Sequence, residues 1–262
     1  MSTATLAPSG RGNVVANTLT IARRNLLHIR SDPEQLVGMT IQPLMFLILF
    51  VFVFGGAIAG SSTEYLRFAL PGILVQGTAF TPFTTALGLH KDFQQGLIDR
   101  FRSLPMAPGA VIAGRVAADA VRVVWGALVL GGFGVLLGFR FGGGVGGALG
   151  ALVLVTAFGV TMCWPMAFIG LAAKSPEAVN TWGFMIILPL TFASSAFARP
   201  ETMPGWLEAF AEVNPITQVI DATRGLMLGG PVADPVLRSV VWLVAITAVF
   251  APLAISRFRR RI

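Results

Sequence analysis

The chain has little charge. Of its 262 residues, 12% are Asp, Glu, Lys or Arg, about half the share of a soluble domain. With 55% hydrophobic residues and a mean hydropathy of +0.76, the chain is a membrane protein by composition. Cysteine is nearly absent. Cys163 stands alone in an apolar segment, which excludes an intrachain disulfide and a thiolate metal cluster. His28 and His90 are the only histidines, too few for a His-rich metal site. A phosphate-binding loop is missing as well. That loop needs Gly directly before Lys and then Ser or Thr, and "GLAAKS" puts Ala173 before Lys174. There is no His-Glu-x-x-His and no Gly-x-Ser-x-Gly. Deep carboxylates, the mark of proton or ion coupling, are scarce. Asp119 is the nearest candidate, and it has arginine neighbours on both sides. These absences leave a membrane body with no metal, no cofactor, no catalytic residues and no energy source of its own.

What is present is a series of apolar runs. A bilayer core takes about 20 apolar residues per helix. Runs of that kind fall at 36–60, 66–89, 109–139, 145–172, 179–198 and 237–256, which predicts an all-α integral membrane protein with about six spans in a single domain over 1–262. The first run begins too far in, and is too long, for a cleavable signal. Before it, residues 13–30 place Val15, Leu19, Ala22, Leu26 and Ile29 at helical spacing, opposite Asn17, Arg24 and His28. That pattern predicts an amphipathic helix lying in the interface.

Lys+Arg is 19 against Asp+Glu 12, a net charge of +7. The cations sit beside apolar runs rather than on one exposed face, so the excess reads as positive-inside and not as a nucleic-acid surface. Arg11, Arg23, Arg24 and Arg30 precede the first run. Lys91, Arg100 and Arg102 lie between the second and third, and Arg257, Arg259, Arg260 and Arg261 end the chain. The other side has Arg67, Arg140, Arg199, Arg224 and Arg238, diluted there by Glu64, Glu201, Glu208, Glu212, Asp221 and Asp234. Both termini are therefore expected in the cytoplasm. The connection before the last span, with short helices over 204–228, is expected outside. Almost all cations are arginine, and Ala, Gly and Val abound, which suggests a GC-rich bacterial genome.

Three local patterns stand out. Arg115, Asp119 and Arg122 share one helix face at steps of four and three. They either pair among themselves at the inner interface, or line an inner vestibule. In "GGGVGGALG", Gly146 and Gly150 have the spacing that permits close helix contact. In "HKDFQQGLIDRFRSLPMAP", Phe93, Leu97, Ile98, Phe101 and Leu104 form one stripe, with Lys91, Gln95, Asp99 and Arg102 largely off it. Pro105 and Pro108 end that helix. It is too polar to span and too patterned for a loop. It either rests on the inner leaflet or offers a knob to a cytoplasmic partner that supplies the missing energy.

The residues of that stretch carry a resemblance. "DFQQGLIDRFRSLPMAPGAVIAGRVAADAVR", with Arg100 to Pro105 followed by Gly114 and Arg115, resembles the cytoplasmic signature of type 2 ABC-transporter permeases. It is most similar to the daunorubicin-resistance-type drug and lipid exporters. "YLRFALPGILVQ", with Pro71 and Gly72, and "NPITQVIDATRGL", with Asn214, Pro215 and Arg224, resemble two further family segments. The resemblance implies a permease of the bacterial plasma membrane that exports an amphipathic drug, antibiotic or lipid. Polysaccharides and lipo-oligosaccharides are the alternative cargo of the family. It implies a second permease chain, the same or homologous, and two copies of an ATPase subunit that hold the ATP and Mg. It implies a connecting helix at the N-terminus and a coupling helix between spans two and three. The ATPase-coupling residues would be Phe93, Leu97, Asp99, Arg100, Phe101, Arg102 and Leu104. By the same resemblance spans two and five face the path, which selects Phe80, Phe83, Thr84, Trp182, Met185 and Phe192. Two other readings remain: an ion-coupled transporter working through Asp119, and a membrane-embedded lipid enzyme.

Overall fold

The structure is a computed structural model and describes residues 33–94 and 108–261. The expected amphipathic helix over 13–30 lies outside those residues. So do Leu97, Asp99, Arg100, Phe101, Arg102 and Leu104 of the expected coupling helix.

The described chain is helical throughout. Helix α1 (Pro33–Leu49) continues through a wide π turn (Phe50–Phe54) into α2 (Gly55–Ala59). The π turn places Phe50 against Phe46, Phe54 and Phe197, with ring centroids 5.8, 5.3 and 4.5 Å away. Helix α3 (Ser62–Phe80) starts on Ser61, whose hydroxyl accepts from the Glu64 amide at 3.1 Å. Helix α4 (Phe83–Gln94) follows after a break at Thr81–Pro82. Then come α5 (Pro108–Leu136), α6 (Gly144–Ala172) and α7 (Pro176–Phe192). Short helices α8 (Gly205–Val213) and α9 (Pro215–Leu228) precede α10 (Ala233–Arg261).

Four stretches among the described residues are long and apolar enough to cross a bilayer: Ile41–Ile58, Gly114–Leu136, Gly144–Ala172 and Ala233–Phe258. Two of the six expected spans differ. The expected 66–89 run is two helices, because Pro82 has no N–H for the ladder. Thr78 O, which the missing N–H of Pro82 would have reached, accepts instead from the Thr81 amide at 3.3 Å, and Gly77 O, released by that shift, accepts from Thr81 Oγ1 at 3.2 Å. Helix α3 also carries Glu64, Arg67 and Gln76. The expected 179–198 run stops at Phe192, leaving a helix of 17 residues.

Helix α6 is the centre of the bundle. It is apolar on all sides and packs against α4, α5, α9 and α10. Phe158, Leu154 and Val155 sit in the main core with Leu70, Ile73 and Val123. A second cluster, toward the Gln94 end of α4 and the Arg261 end of α10, joins Leu89, Val116, Cys163, Leu171, Ala254 and Phe258. The glycine face of α6 is shifted from the expected register. A Cβ on Gly143 or Gly147 would stand 2.0 or 2.1 Å from the Leu226 carbonyl oxygen, whereas Gly146 faces open space. The backbone of α9 therefore runs directly over α6.

Candidate transport path and coupling end

The break at Pro82 shapes a cavity of about 420 Å³ between α1, the α3–α4 junction and α7. Phe46, Phe80, Phe184 and Phe192 form its walls, and Gln42, Gln76, Thr81 and Thr84 add polar groups. Phe80, Thr84 and Phe192 of the sequence selection thus come together. Phe83 is buried beside the cavity, its ring 5.8 Å from Phe80 and 4.9 Å from Phe184. Trp182 and Met185 do not line it; they lie 54% and 62% exposed. Phe184, which sequence reasoning missed, takes their place.

The expected ladder of Arg115, Asp119 and Arg122 is divided. Arg122 Nη1 donates to Asp119 Oδ1 within α5. Arg115 turns instead to α4 and pairs with Asp92 at 2.8 Å. Cys163 Sγ of α6 points at Asp119 Oδ2 from 3.6 Å and donates to Gly159 O at 3.3 Å. Asp92 was missed because its partner is 23 residues away, beyond any helical spacing. Phe93 is half-buried against the second apolar cluster, so it ties the end of α4 to the bundle.

At the other end of the bundle the segment "NPITQVIDATRGL" acts as a clasp. Asn214 caps α9 by accepting from the Ile216 amide at 2.9 Å, while its amide donates to Leu190 O and Ala193 O at 2.6 and 2.8 Å. Those bonds take up carbonyls at the end of α7. Arg224 donates to Asp221 Oδ1 (2.7 Å), Ser195 O (2.8 Å) and Phe68 O (3.3 Å), and stacks 4.2 Å over the Phe68 ring. Ser195 Oγ donates to Asp221 Oδ1 at 2.7 Å. Burial pushes the Asp221 carboxyl above the usual carboxylate range, against the pull of Arg224. A polar basin of about 850 Å³ opens beside the clasp, edged by Glu201, Glu208, Glu212 and Asp234.

Comparison with known proteins gives this arrangement a family. The sequence model described as ABC-2 type transporter matches residues 16–228. The chain is 37% identical over 251 residues to the daunorubicin resistance ABC transporter permease protein DrrB1 of Streptomyces coeruleorubidus, covering 96% of this chain and 89% of that one. It is 28% identical over 249 residues to the probable doxorubicin resistance ABC transporter permease protein DrrC of Mycobacterium tuberculosis, covering 94% and 89%. A putative transport permease, ycf38, of Pyropia yezoensis is 29% identical over 217 residues, covering 78% and 71%. The chain belongs to the ABC-2 type transporter family, as a multi-pass membrane permease component.

Proposed function

We propose that the chain exports an amphipathic, aromatic-tolerant drug, antibiotic or lipid, with the cavity at the α3–α4 break as part of the path. The observation that carries this reading is that cavity: about 420 Å³, walled by phenylalanines and dotted with Gln and Thr groups. Its size and lining match those of drug-sized ligand sites, which run to about 300–1,000 Å³. The names of the streptomycete and mycobacterial relatives point the same way. A polysaccharide or lipo-oligosaccharide is the alternative cargo, and the aromatic walls favour the drug or lipid.

In this reading six segments cross the membrane, α3–α4 and α7 being carried by the bundle around them. Helices α4, α5 and α10 meet at the cytoplasmic end, where Lys91, Arg115 and Arg257 lie. The acidic basin with Glu201, Glu208 and Glu212 faces outward. The stretch after α4, with Leu97, Phe101 and Leu104 as its apolar positions, is the coupling segment that seats in a groove of the ATPase, while Phe93 belongs to α4 and packs into the bundle. A second permease chain and two ATPase subunits, which bind ATP and Mg, complete the exporter.

The test is affinity recovery of the tagged chain from its native membrane, followed by an ATPase assay. An ATP-hydrolysing partner should co-purify, and the double variant Phe101→Ala, Leu97→Ala should lose it or uncouple it. A chain that moves substrate with no ATPase bound would overturn this reading and return Asp119 and ion coupling to first place.

A further inference from the structure

We infer that Asp92 and Arg115 are a positioning pair, a tie across the neck of the 95–107 connection that makes the inner ends of α4 and α5 move as one. The inference rests on the reading above that this connection meets the ATPase.

Four ion pairs occur among the described residues, and three of them lie within a single helix at i,i+3 or i,i+4. Asp92–Arg115 alone joins two helices. It does so where it matters mechanically. Asp92 is two residues from the end of α4, and Arg115 is seven residues into α5, about 10 Å along the helix. The two side chains are 16% and 17% exposed, so the pair is shielded from most of the solvent.

The site is built to hold the guanidinium. A Cβ on Gly88 would stand 2.2 Å from Arg115 Nη2. Gly88 and Asp92 are four apart and share one face of α4. Arg115 therefore lies across the bare backbone at Gly88 and reaches the carboxylate one turn further on. Helices α4 and α5 otherwise touch over only a short stretch.

The α4 side of the tie is itself fixed. His90 Nδ1 lies 3.2 Å from the Gly170 carbonyl of α6. A carbonyl only accepts, so the proton is on Nδ1, and Nε2 is left to accept from the Gln94 amide at 2.9 Å. A Cβ on Gly170 would stand 2.5 Å from Ala86 O, so the two backbones are in contact. Helix α4 is thereby fastened to α6 through His90 and to α5 through Asp92. A connection with loose ends absorbs a push by splaying them apart. A connection pinned at its neck passes the push to both helices, and so to the break at Pro82 at the far end of α4.

The experiment uses the full chain with its ATPase reconstituted in lipid vesicles. It compares Asp92→Arg, Arg115→Asp and the double swap. Gly88→Ala is added because it keeps both charges and fills the place of the guanidinium. Membrane level, ATPase recovery and the amount of a fluorescent aromatic amphiphile, the substrate probe, moved per ATP hydrolysed are read separately. Each single reversal should lower the substrate-per-ATP ratio by about tenfold with the ATPase still bound, and the swap should return it to within about threefold of wild type. Gly88→Ala should lower the ratio without lowering membrane level. The tie is overturned if wild type is coupled and the single variants match it, or if a well-inserted swap rescues nothing. Where the swap fails to insert, an unchanged ratio in Gly88→Ala overturns it. A wild-type chain that recovers no ATPase overturns the reading of 95–107 and the tie with it.

Discussion

Replacing Arg224 with alanine should loosen the outer clasp far more than neutralising its acidic partner. The guanidinium serves four contacts: Asp221, the carbonyls of Ser195 and Phe68, and the Phe68 ring. Hydrogen bonds from a charged donor are worth about 1.5–3 kcal/mol each, and the 3.3 Å bond to Phe68 belongs at or below the low end. The ion pair adds under about 1 kcal/mol, because the Asp221 side chain is only half-buried: its carboxylate is partly desolvated, yet water still screens the pair. The ring contact adds about 0.5–1 kcal/mol. Arg224→Ala should therefore cost about 3 kcal/mol. For a chain of this size that is a fall in Tm on the order of 5–10 °C, read by thermal unfolding of the purified chain in nanodiscs. Asp221→Asn keeps an acceptor for Ser195 Oγ and leaves the carbonyl bonds in place, so its cost should stay under about 1 kcal/mol. The pH dependence has a definite sign. The Asp221 carboxyl is raised on folding, mainly by burial, so its contribution is full below the unfolded value of about 4 and is lost as pH rises through the raised folded value. Asp221→Asn should flatten that slope. If Asp221→Asn destabilises as much as Arg224→Ala, the ion pair and not the backbone clasp holds the outer helices, and the reasoning fails.

Phe80→Ala and Phe192→Ala should each raise the substrate KM for export several-fold, since both rings wall the cavity, whereas Trp182→Ala, outside it, should leave KM unchanged; vesicle uptake of a fluorescent aromatic amphiphile reads both. Asp119→Asn should leave ATP-driven export insensitive to collapse of the proton gradient, while removal of the carboxylate beside the buried Arg122 costs about 3 kcal/mol or more, read as lower thermal stability. A reporter at Glu208 should be external and one at the C-terminus internal, checked by membrane-impermeant labelling of intact cells.

The parts of the fold that depend only on composition were legible in the sequence. Helices α1, α5, α6 and α10 read directly as apolar runs. The break at Pro82 was also written there, but a hydropathy window averages over one proline. The end of α7 was not. No residue at 193–198 is charged, and what stops the helix from running on is Asn214, whose amide takes the carbonyls of Leu190 and Ala193 from 24 and 21 residues away. The same limit governs the site. Helix α7 is almost wholly apolar from Trp182 to Phe192, so spacing could not choose Phe184, Leu188 and Phe192, which line the cavity, over Trp182 and Met185, which do not. Helical spacing offered Asp119 to Arg115 as its partner, and the fold gave it Asp92. Arg115 was legible as a charged residue, but its seat is Gly88 on another helix. A permease works by moving helices against one another. Its working residues therefore lie at contacts between helices, the level of structure that periodicity along one chain does not encode.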